Sequence, residues 1–356
     1  MKMCEAMAQE GHQVVLYAIY GRLDDLNLNS DEQIWQYYGV KERFPIHWLT
    51  ANRKLRGYDV AFSSVRHARQ SGFDLIYTRS PAAAALSSLS GYPTICEIHD
   101  VPSGKIGPWL FRLFLLGKGF VRLVAISDSL RRAVSERYGS FLQGKSFIVA
   151  PDGVDLERFM DLPSPEEARQ QLGIPEAFTV GYSGSFYAGR GIELILDLAG
   201  NLPEVQFLLV GGDSSSVGRY KETSAQRGLD NVCFAGHIPP SGLPIYLSAC
   251  EVLLMPYQRR VAVGGGGDTA RVMSPLKLFE YMAANRLIIS SDLPVLREIL
   301  SEQNAVLCDP EDVASWREAI CRAKEDSSWR MTLAHQARQD VEQYTWRRRV
   351  QRCLGV

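Results

Sequence analysis

The sequence predicts an α/β protein built from two domains, each with a parallel β-sheet covered by helices. The 356-residue chain is long enough for two domains of ordinary size. Short apolar runs alternate with helical stretches in both halves, which is typical of parallel sheets with helices on their faces. The segment DLPSP at 161–165 resembles a linker and separates the two series. We therefore place the domain boundary after residue 162.

The first half predicts a helix before any strand. Residues 1–10 have a helical pattern that ends before Gly11, and an apolar strand follows over 13–20. An α/β domain of this kind usually opens on a strand, so this order suggests that the N-terminal domain lacks its first strand and the loop after it. Further strands are predicted at 74–78, 93–98, 123–126 and 146–150.

The second half begins a new α/β series. A strand over 178–183 is followed by a glycine-rich turn over 184–191, and a helix follows from about Ile192. Such a turn lets backbone approach a ligand closely, and Arg190 within it could pair with a phosphate. An ordinary tight turn between strand and helix is the alternative. Later strands are predicted at 205–210, 232–236, 252–256 and 287–290.

Residues 274–284, SPLKLFEYMAA, predict a helix whose start binds an anion. Ser274 suits the N-cap, and Pro275 suits the first helical position. Lys277 then lies in the first turn, where the helix dipole repels a cation unless an anion binds there too. Glu280 lies one turn further on, placed to accept hydrogen bonds from sugar hydroxyls. The pattern favours a nucleotide, and a surface helix with a chance Lys/Glu pair is the alternative.

Two segments of the first half are also candidates for function. His99 follows the strand over 93–98, and open α/β sheets bind ligands at the carboxyl ends of their strands. It could hydrogen-bond a substrate, or it could be satisfied by a neighbouring backbone group. Residues 105–122 are apolar with interleaved Lys and Arg, which indicates either a peripheral membrane contact or a buried helix.

Composition excludes several classes of protein. The net charge of −1 argues against a nucleic-acid binder, and the three arginines at 347–349 are better interpreted as a solvated face. Seven cysteines without a CxxC pair suggest free thiols in a reducing compartment. No apolar run has the length of a membrane span, and no secretory signal is visible. The six histidines are scattered, so we expect no metal site.

Four motifs in chain order resemble those of the GT-B glycosyltransferases of family GT4, the glycosyl transferases group 1. Residues 149–159, VAPDGVDLERF, resemble the family's PNGVDxxxF, and 180–191 resemble the first strand and phosphate loop of its donor domain. Residues 274–298 are similar to SPLKLFEYMAAGxPVVASDLPxxxE, the most specific of the four matches. The motif YTW at 344–346 resembles the family's final helix, so that the resemblance covers nearly the whole chain.

The resemblance implies two Rossmann-like domains facing across a cleft. An acceptor-binding domain would span 1–162, with the helix at about 340–356 packing back on it, and a sugar-nucleotide domain would span 163–339. The family transfers sugars with retention of anomeric configuration. The resemblance implies catalytic roles for His99, Arg190 and Lys277, with no cofactor and no metal. The implied substrate-binding residues are Gly184, Ser185, Ser274, Leu276, Lys277 and Glu280.

The sequence departs from the family pattern at three places. The first glutamate of the family's E-x7-E pair is Val272, so sugar contacts would pass to Asp268 or to the amides of 264–267, a glycine run that suggests either a mobile lid or a solvated connector. Ser185 replaces a phosphate-binding arginine, and Arg190 stands where lysine is commoner. The absent opening strand suggests either a start codon assigned too late or an impaired protein.

Three hypotheses follow for the function. The first is a retaining glycosyltransferase that moves a sugar from a UDP- or GDP-linked donor to a glycan or lipid-linked acceptor in surface polysaccharide or glycolipid biosynthesis. We expect such a protein in the cytoplasm, with peripheral contact to the inner face of the cytoplasmic membrane through 105–122. The second is a nucleotide-sugar epimerase of the same fold, and the third is a degenerate subunit that only binds the nucleotide sugar.

Overall fold

The computed structural model describes residues 1–19, 28, 30–55, 57–262 and 268–355. They form two compact units: unit 1 contains Met1–Pro151 and Trp346–Val356, and unit 2 contains Asp152–Thr345. The predicted second domain spans 163–339. Unit 2 therefore begins before the predicted start and ends after the predicted end. The difference has a physical reason, since Val154, Phe159 and Val341 are buried in the apolar core of unit 2.

Unit 1 contains two parallel sheets. One pairs β1 with β2, and the other has the order β3-β4-β5-β6. Strand β4 is buried along its whole length, whereas β1 and β3 are half-buried. The strands of unit 1 are β1 (Leu16–Ile19), β2 (Ile46–Leu49), β3 (Ile76–Thr78), β4 (Thr94–Ile98), β5 (Phe120–Ala125) and β6 (Phe147–Val149).

The first element described in unit 1 is a helix, as the sequence predicts. Side-chain caps begin several helices of this unit: Ser30, Ser80 and Ser127 each accept a hydrogen bond from a backbone N–H of the first turn. The helices of unit 1 are α1 (Lys2–Gln9), α2 (Asp31–Tyr38), α3 (Tyr58–Gln70), α4 (Pro81–Leu89), α5 (Gly107–Leu116), α6 (Asp128–Leu142) and, from the end of the chain, α14 (Trp346–Leu354).

Unit 2 contains one six-stranded parallel sheet with the order β12-β11-β10-β7-β8-β9. Its central strands are buried along nearly their whole length. The order runs outward in both directions from the first strand of the unit, which is the arrangement of a doubly wound Rossmann sheet. The strands are β7 (Thr179–Gly184), β8 (Gln206–Gly211), β9 (Val232–Gly236), β10 (Val252–Met255), β11 (Leu287–Ser291) and β12 (Val306–Cys308).

The helices of unit 2 cover both faces of its sheet. The linker predicted at 161–165 leads directly into α7, whose start has a capping box between Ser164 and Glu167. Two apolar clusters form the core, one against each face. The helices are α7 (Pro165–Leu172), α8 (Ile192–Asn201), α9 (Ser214–Gln226), α10 (Leu243–Ser248), α11 (Leu276–Ala283), α12 (Val313–Glu325) and α13 (Ser327–Asp340).

The predicted α/β class is confirmed in both units. Two strands, β2 and β12, were not expected from the sequence. Strand β12 has three residues and β2 has four, and the pattern of such short segments does not separate them from loops. Both lie at the end of a sheet and pair on one side only, β2 with β1 and β12 with β11.

Candidate active site

Unit 2 has a topological switch point between β7 and β10, because the chain proceeds outward from β7 on one side and from β10 on the other. Open parallel sheets bind ligands in the crevice outside the carboxyl ends of two such strands. Strand β7 ends at Gly184, and β10 ends at Met255. The residues predicted to bind phosphate lie around these two strand ends.

Helix α11 begins one residue later than predicted. Pro275 is the N-cap with an extended ψ of 123°, and Leu276 is the first helical residue, exposed to solvent. The prediction that Ser274 caps the helix is wrong, because its Oγ accepts a hydrogen bond from the N–H of Asp152 at 3.0 Å. Lys277 lies in the first turn as predicted, one residue before Leu278, whose N–H makes the first hydrogen bond of the helix, to the carbonyl oxygen of Pro275 at 3.0 Å.

Lys277 is buried between two tyrosine rings. Its Nζ lies 3.7 Å from the centroid of the Tyr182 ring and 5.4 Å from that of Tyr257. Within the described ranges, Nζ has no hydrogen-bond partner. Burial and the charge of Arg190 lower the pKa of Lys277 well below its ordinary value, while Glu280 acts in the opposite direction. The site therefore holds a desolvated amine that an anion would stabilise as the charged form.

The end of β7 makes close contact with Lys277. Gly184 has φ +137°, and a Cβ built on it would lie 2.8 Å from Lys277 Nζ. A side chain at this position would displace the amine, so glycine is required both by the backbone and by the contact. The next residue, Ser185, accepts a hydrogen bond from the Tyr182 hydroxyl through its carbonyl oxygen at 2.8 Å, which holds the Tyr182 ring.

Arg190 is a second basic residue beside Tyr257, the ring that also faces Lys277. Its Nη1 donates to the Tyr257 hydroxyl at 3.2 Å, and its guanidinium carbon lies 5.2 Å from that ring's centroid. Its Nε is buried without a hydrogen-bond partner among the residues described. The glycine-rich turn itself packs on protein backbone, since a Cβ on Gly191 would lie 2.0 Å from the carbonyl oxygen of Pro256. The turn thus positions Arg190 against the loop that follows β10.

Glu280 is half-buried one turn after Lys277. Burial raises the pKa of its carboxyl group, and the charges of Arg158 and Lys277 oppose that shift. In the part of the chain that the structure describes, the carboxylate feels the charges of Arg158 and Lys277 but forms no hydrogen bond or ion pair with either of them. The group is therefore available as an acceptor for a ligand.

Three tyrosines of this site were not expected from the sequence. Tyr182 and Tyr257 surround Lys277, and Tyr281 holds α11 on β7 because its hydroxyl accepts a hydrogen bond from the Ser183 N–H at 2.7 Å. The sequence position of two of these tyrosines could have predicted their place in the site. Tyr182 and Tyr257 lie within two residues of the ends of the strands that flank the switch point.

Two groups are expected to replace the missing glutamate of the E-x7-E pair, namely Asp268 and the backbone amides of 264–267. Val272 is buried. Asp268 Oδ1 accepts hydrogen bonds from the N–H groups of Val261 and Ala270 at 2.9 and 3.0 Å, and these bonds lower the pKa of its carboxyl group. This oxygen therefore joins Val261 to Ala270. The glycine run at 264–267 lies outside the described residues.

In unit 1, His99 follows the carboxyl end of β4 as predicted. Its Nε2 lies 2.5 Å from Oε1 of Glu97, and its side chain is 30% exposed. The alternative that a backbone group satisfies this histidine is wrong, because its partner is a buried carboxylate. Glu97 was not expected as a site residue, although it lies two positions before His99, on the same side of the strand.

Residues 105–122 combine the two interpretations offered for them. Helix α5 buries Phe111, Phe114 and Leu115 in unit 1, so it is part of the core. Its other side leaves Trp109 59% and Leu116 63% exposed. Among the described residues, no helix is long and apolar enough to span a bilayer.

No group of three or more His, Cys, Asp or Glu side chains that could hold a metal ion occurs within 1–19, 28, 30–55, 57–262 and 268–355. Among the described residues, the Lys277 amine and the Arg190 guanidinium are the basic groups that lie beside Tyr257 at the switch point.

Sequence families and solved structures identify the class of protein. The model described as Glycosyltransferase Family 4 matches residues 1–158, and the model described as Glycosyl transferases group 1 matches residues 164–340. With two Rossmann-like units of parallel sheet, these matches define a glycosyltransferase of the GT-B fold. The chain belongs to the GT4-type glycosyltransferases, as the resemblance of its motifs predicts.

Individual relatives are distant. The phosphatidyl-myo-inositol mannosyltransferase of Mycolicibacterium smegmatis is 23% identical over 364 residues, 97% of this chain and 85% of its own length. Sucrose-phosphate synthase from Thermosynechococcus elongatus superposes with a TM-score of 0.74 at 20% identity, covering 99% of this chain and 90% of that one. HepE of Anabaena, solved in complex with UDP-glucose, has a TM-score of 0.73 at 18% identity and covers 99% and 94%. These superpositions establish the fold.

Proposed function

We propose that this glycosyltransferase moves a sugar from a UDP- or GDP-linked donor to a glycan or lipid-linked acceptor, with retention of anomeric configuration. The observation that carries the proposal is Lys277, a buried amine at the switch point without a hydrogen-bond partner among the described residues. A buried ionisable group in this state costs folding free energy, so its presence favours a ligand that completes it. A diphosphate has the matching charge.

The proposed donor site neutralises the departing nucleotide with protein cations. Lys277 and Arg190 would bind the diphosphate together with the free N–H groups at the start of α11. Preorganised charge of this kind stabilises a leaving group in the transition state. We therefore propose a reaction that uses no metal and no cofactor.

The remaining site residues receive roles from their positions. Gly184 and Ser185 would border the phosphates, since they follow β7 beside Lys277. Glu280 would accept hydrogen bonds from the ribose hydroxyls one helical turn further on. Leu276 contributes its backbone at the helix start, and Ser274 fixes the approach to that start through Asp152.

The relatives support a nucleotide sugar and a lipid-linked acceptor. HepE was solved with UDP-glucose, and the Mycolicibacterium relative is named for mannosyl transfer to a phosphatidyl-myo-inositol. By analogy we place this chain in glycolipid or surface polysaccharide biosynthesis, and we propose that His99 acts on the transferred sugar as the family resemblance implies.

We further propose that unit 1 touches an anionic membrane surface through α5, at the inner face of the cytoplasmic membrane. Trp109 and Leu116 expose large apolar side chains on this helix, and the exposed Lys105 and Lys118 flank it. Apolar side chains beside lysines suit the boundary between acyl chains and lipid phosphates. A lipid-linked acceptor would be found at the same surface.

The experiment that tests the function begins with calorimetric titration of UDP and GDP. The nucleotide that binds selects a panel of its sugar conjugates, which are incubated with and without a lipid and glycan extract. Transfer of the sugar to an acceptor supports the proposal if NMR of the product shows that the anomeric configuration is retained. An isomerised donor would instead indicate an epimerase, and binding without turnover would indicate the degenerate subunit, which the buried Val272 at the first position of E-x7-E favours.

A further inference from the structure

Glu97 is the centre of a buried polar network in unit 1. Its side chain is 4% exposed, and its two oxygens are used separately. Oε1 receives His99 Nε2 at 2.5 Å, while Oε2 accepts the Tyr77 hydroxyl and forms an ion pair with Arg349 Nη1 at 2.9 Å. Three elements contribute to this network, namely β3, the end of β4 and α14.

Arg349 comes from the last helix of the chain and is held firmly. Its Nε donates to the carbonyl oxygen of Pro151 at 2.8 Å. Helix α14 is attached to α1, because Glu10 accepts a hydrogen bond from Gln351 at 2.8 Å and pairs with Arg347. The arginine therefore lies in a fixed position beside Glu97.

The charges around Glu97 keep it ionised. Burial alone would raise the pKa of its carboxyl group, but the hydrogen bond from His99 and the charge of Arg349 lower it well below the usual range. The other polar groups that face the network are Arg79, whose Nε lies 4.0 Å from Oε1, and Cys353, whose Sγ lies 3.7 Å from the Tyr77 hydroxyl. Burial also raises the pKa values of Tyr77 and Cys353, which favours their neutral forms.

We propose that Glu97 is a positioning residue for sugar transfer: it holds His99 with the Nε2–H directed into the protein, so that Nδ1 is the ring nitrogen offered to the substrate. An imidazole that donates through Nε2 to an anion retains Nδ1 as its acceptor. Arg349 keeps the carboxylate ionised and in place. The inference rests on the proposed function, since it assigns a role in transfer to His99.

A purely structural ion pair is the competing explanation. Buried ion pairs contribute little net stability compared with apolar residues, so burial by itself does not decide between the two. The arrangement favours positioning because one oxygen of Glu97 serves His99, whose ring remains partly exposed after the strand end, while the other oxygen serves the buried anchors. Carboxylate–histidine pairs of this kind fix ring orientation and tautomer in other sites.

The test is a double-mutant cycle on release of nucleotide from the active sugar conjugate. We expect Glu97→Gln to lower kcat by roughly 10- to 100-fold, the range that loss of a charge-assisted hydrogen bond supports, with the donor KM changed less than about 2-fold. In a His99→Ala background the same change should alter kcat less than about 2-fold. Arg349→Met should behave like Glu97→Gln, and Arg349→Lys should restore part of the activity.

Equal losses from Glu97→Gln in both backgrounds would show a structural role and overturn the inference. If Glu97→Gln does not fold, Arg349→Lys and Arg349→Met replace it in the same cycle. A wild-type protein that releases no nucleotide from any donor defeats the proposed function, and this inference with it. If the wild-type protein turns over but the effects of Glu97→Gln and His99→Ala on kcat are additive, the inference is wrong and the proposed function stands.

Proton NMR supplies a readout that needs no turnover. We expect a downfield imidazole N–H resonance from the short His99–Glu97 hydrogen bond in the wild-type protein. It should vanish in both Glu97→Gln and His99→Ala, while UDP or GDP affinity, which depends on unit 2, stays at the wild-type value. A resonance that persists in Glu97→Gln would show that another group holds the ring.

Discussion

The amine of Lys277 lies 3.7 Å from the centroid of the Tyr182 ring, and a second tyrosine, Tyr257, lies 5.4 Å away. Tyrosine faces stabilise a cation, but they do not replace the water that burial removes. The tyrosines therefore hold the amine in place and leave its hydrogen bonds for a ligand. This relationship connects the stability of unit 2 with its proposed activity.

Replacing Lys277 with methionine should stabilise the fold and abolish nucleotide binding. The substitution keeps an unbranched side chain one atom shorter and removes a buried ionisable group, so we expect the free energy of unfolding to rise by about 1 kcal/mol. Affinity for UDP or GDP should fall at least about 10-fold. Denaturant unfolding and calorimetry measure the two effects. Lys221→Met, at an exposed lysine of α9, is the control and should change neither. Unaltered affinity in Lys277→Met would reject the site.

Nucleotide binding should be coupled to proton uptake. The pKa of Lys277 lies well below its ordinary value of 10.5, so above that lowered value the free protein carries a neutral amine. A diphosphate favours the ammonium form. At pH values above the lowered pKa of the free protein, binding of the nucleotide is therefore accompanied by uptake of a proton by the amine. Calorimetry in buffers of different ionisation enthalpy, from pH 6 to pH 10, measures this uptake. The Lys277→Met variant should lose the uptake assigned to the amine, and an identical profile in both proteins would contradict the assignment.

Glu280 should contribute to binding only when the ligand carries ribose hydroxyls. Replacement by glutamine keeps the size and weakens the acceptor, so we expect the affinity for UDP to fall about 10-fold. The affinity for 2′,3′-dideoxy-UDP should be the same in wild type and variant. Glu318→Gln, on the exposed side of α12, provides the control. An equal loss of affinity for both nucleotides would show that Glu280 does not bind the ribose hydroxyls.

Gly184→Ala should damage both the fold and the site. The residue has φ +137°, and the new Cβ would lie 2.8 Å from Lys277 Nζ, so we expect a loss of about 1–3 kcal/mol of stability together with nucleotide affinity. Gly218→Ala is the matched control, because Gly218 lies inside α9 with no atom near the new methyl group. It should raise stability by about 0.5–1 kcal/mol. A neutral Gly184→Ala would show that the strand end has room for a side chain.

Membrane contact should depend on the exposed side of α5. The double variant Trp109→Ser, Leu116→Ser removes two exposed apolar side chains and leaves Phe111 in the core. We expect it to lose most of its flotation with vesicles of phosphatidylcholine and phosphatidylglycerol, and wild type to bind less to phosphatidylcholine alone. Met331→Ser, an exposed apolar residue of unit 2, should float like wild type. Equal flotation of the double variant would remove α5 as the contact.

Local patterns were sufficient for much of the fold. Alternating apolar runs predicted most strands of both units, because strands of a buried parallel sheet are apolar on both faces. The compact units divide after Pro151, before the predicted boundary at 162, for a reason outside local pattern. Residues 152–162 resemble a connection in sequence, but Val154 and Phe159 join the core of unit 2.

Sequence alone determined the family, the two α/β units, and the positions of Lys277 and Glu280 on one helix, since these depend on spacing within short segments. Only the tertiary structure decided which groups surround them. Tyr182 and Tyr257 reach Lys277 because the sheet order places β7 beside β10, and Arg349 reaches Glu97 because α14 packs in unit 1. These contacts join residues separated by 20 to 252 positions, and they follow from packing, which no local pattern in a single sequence encodes.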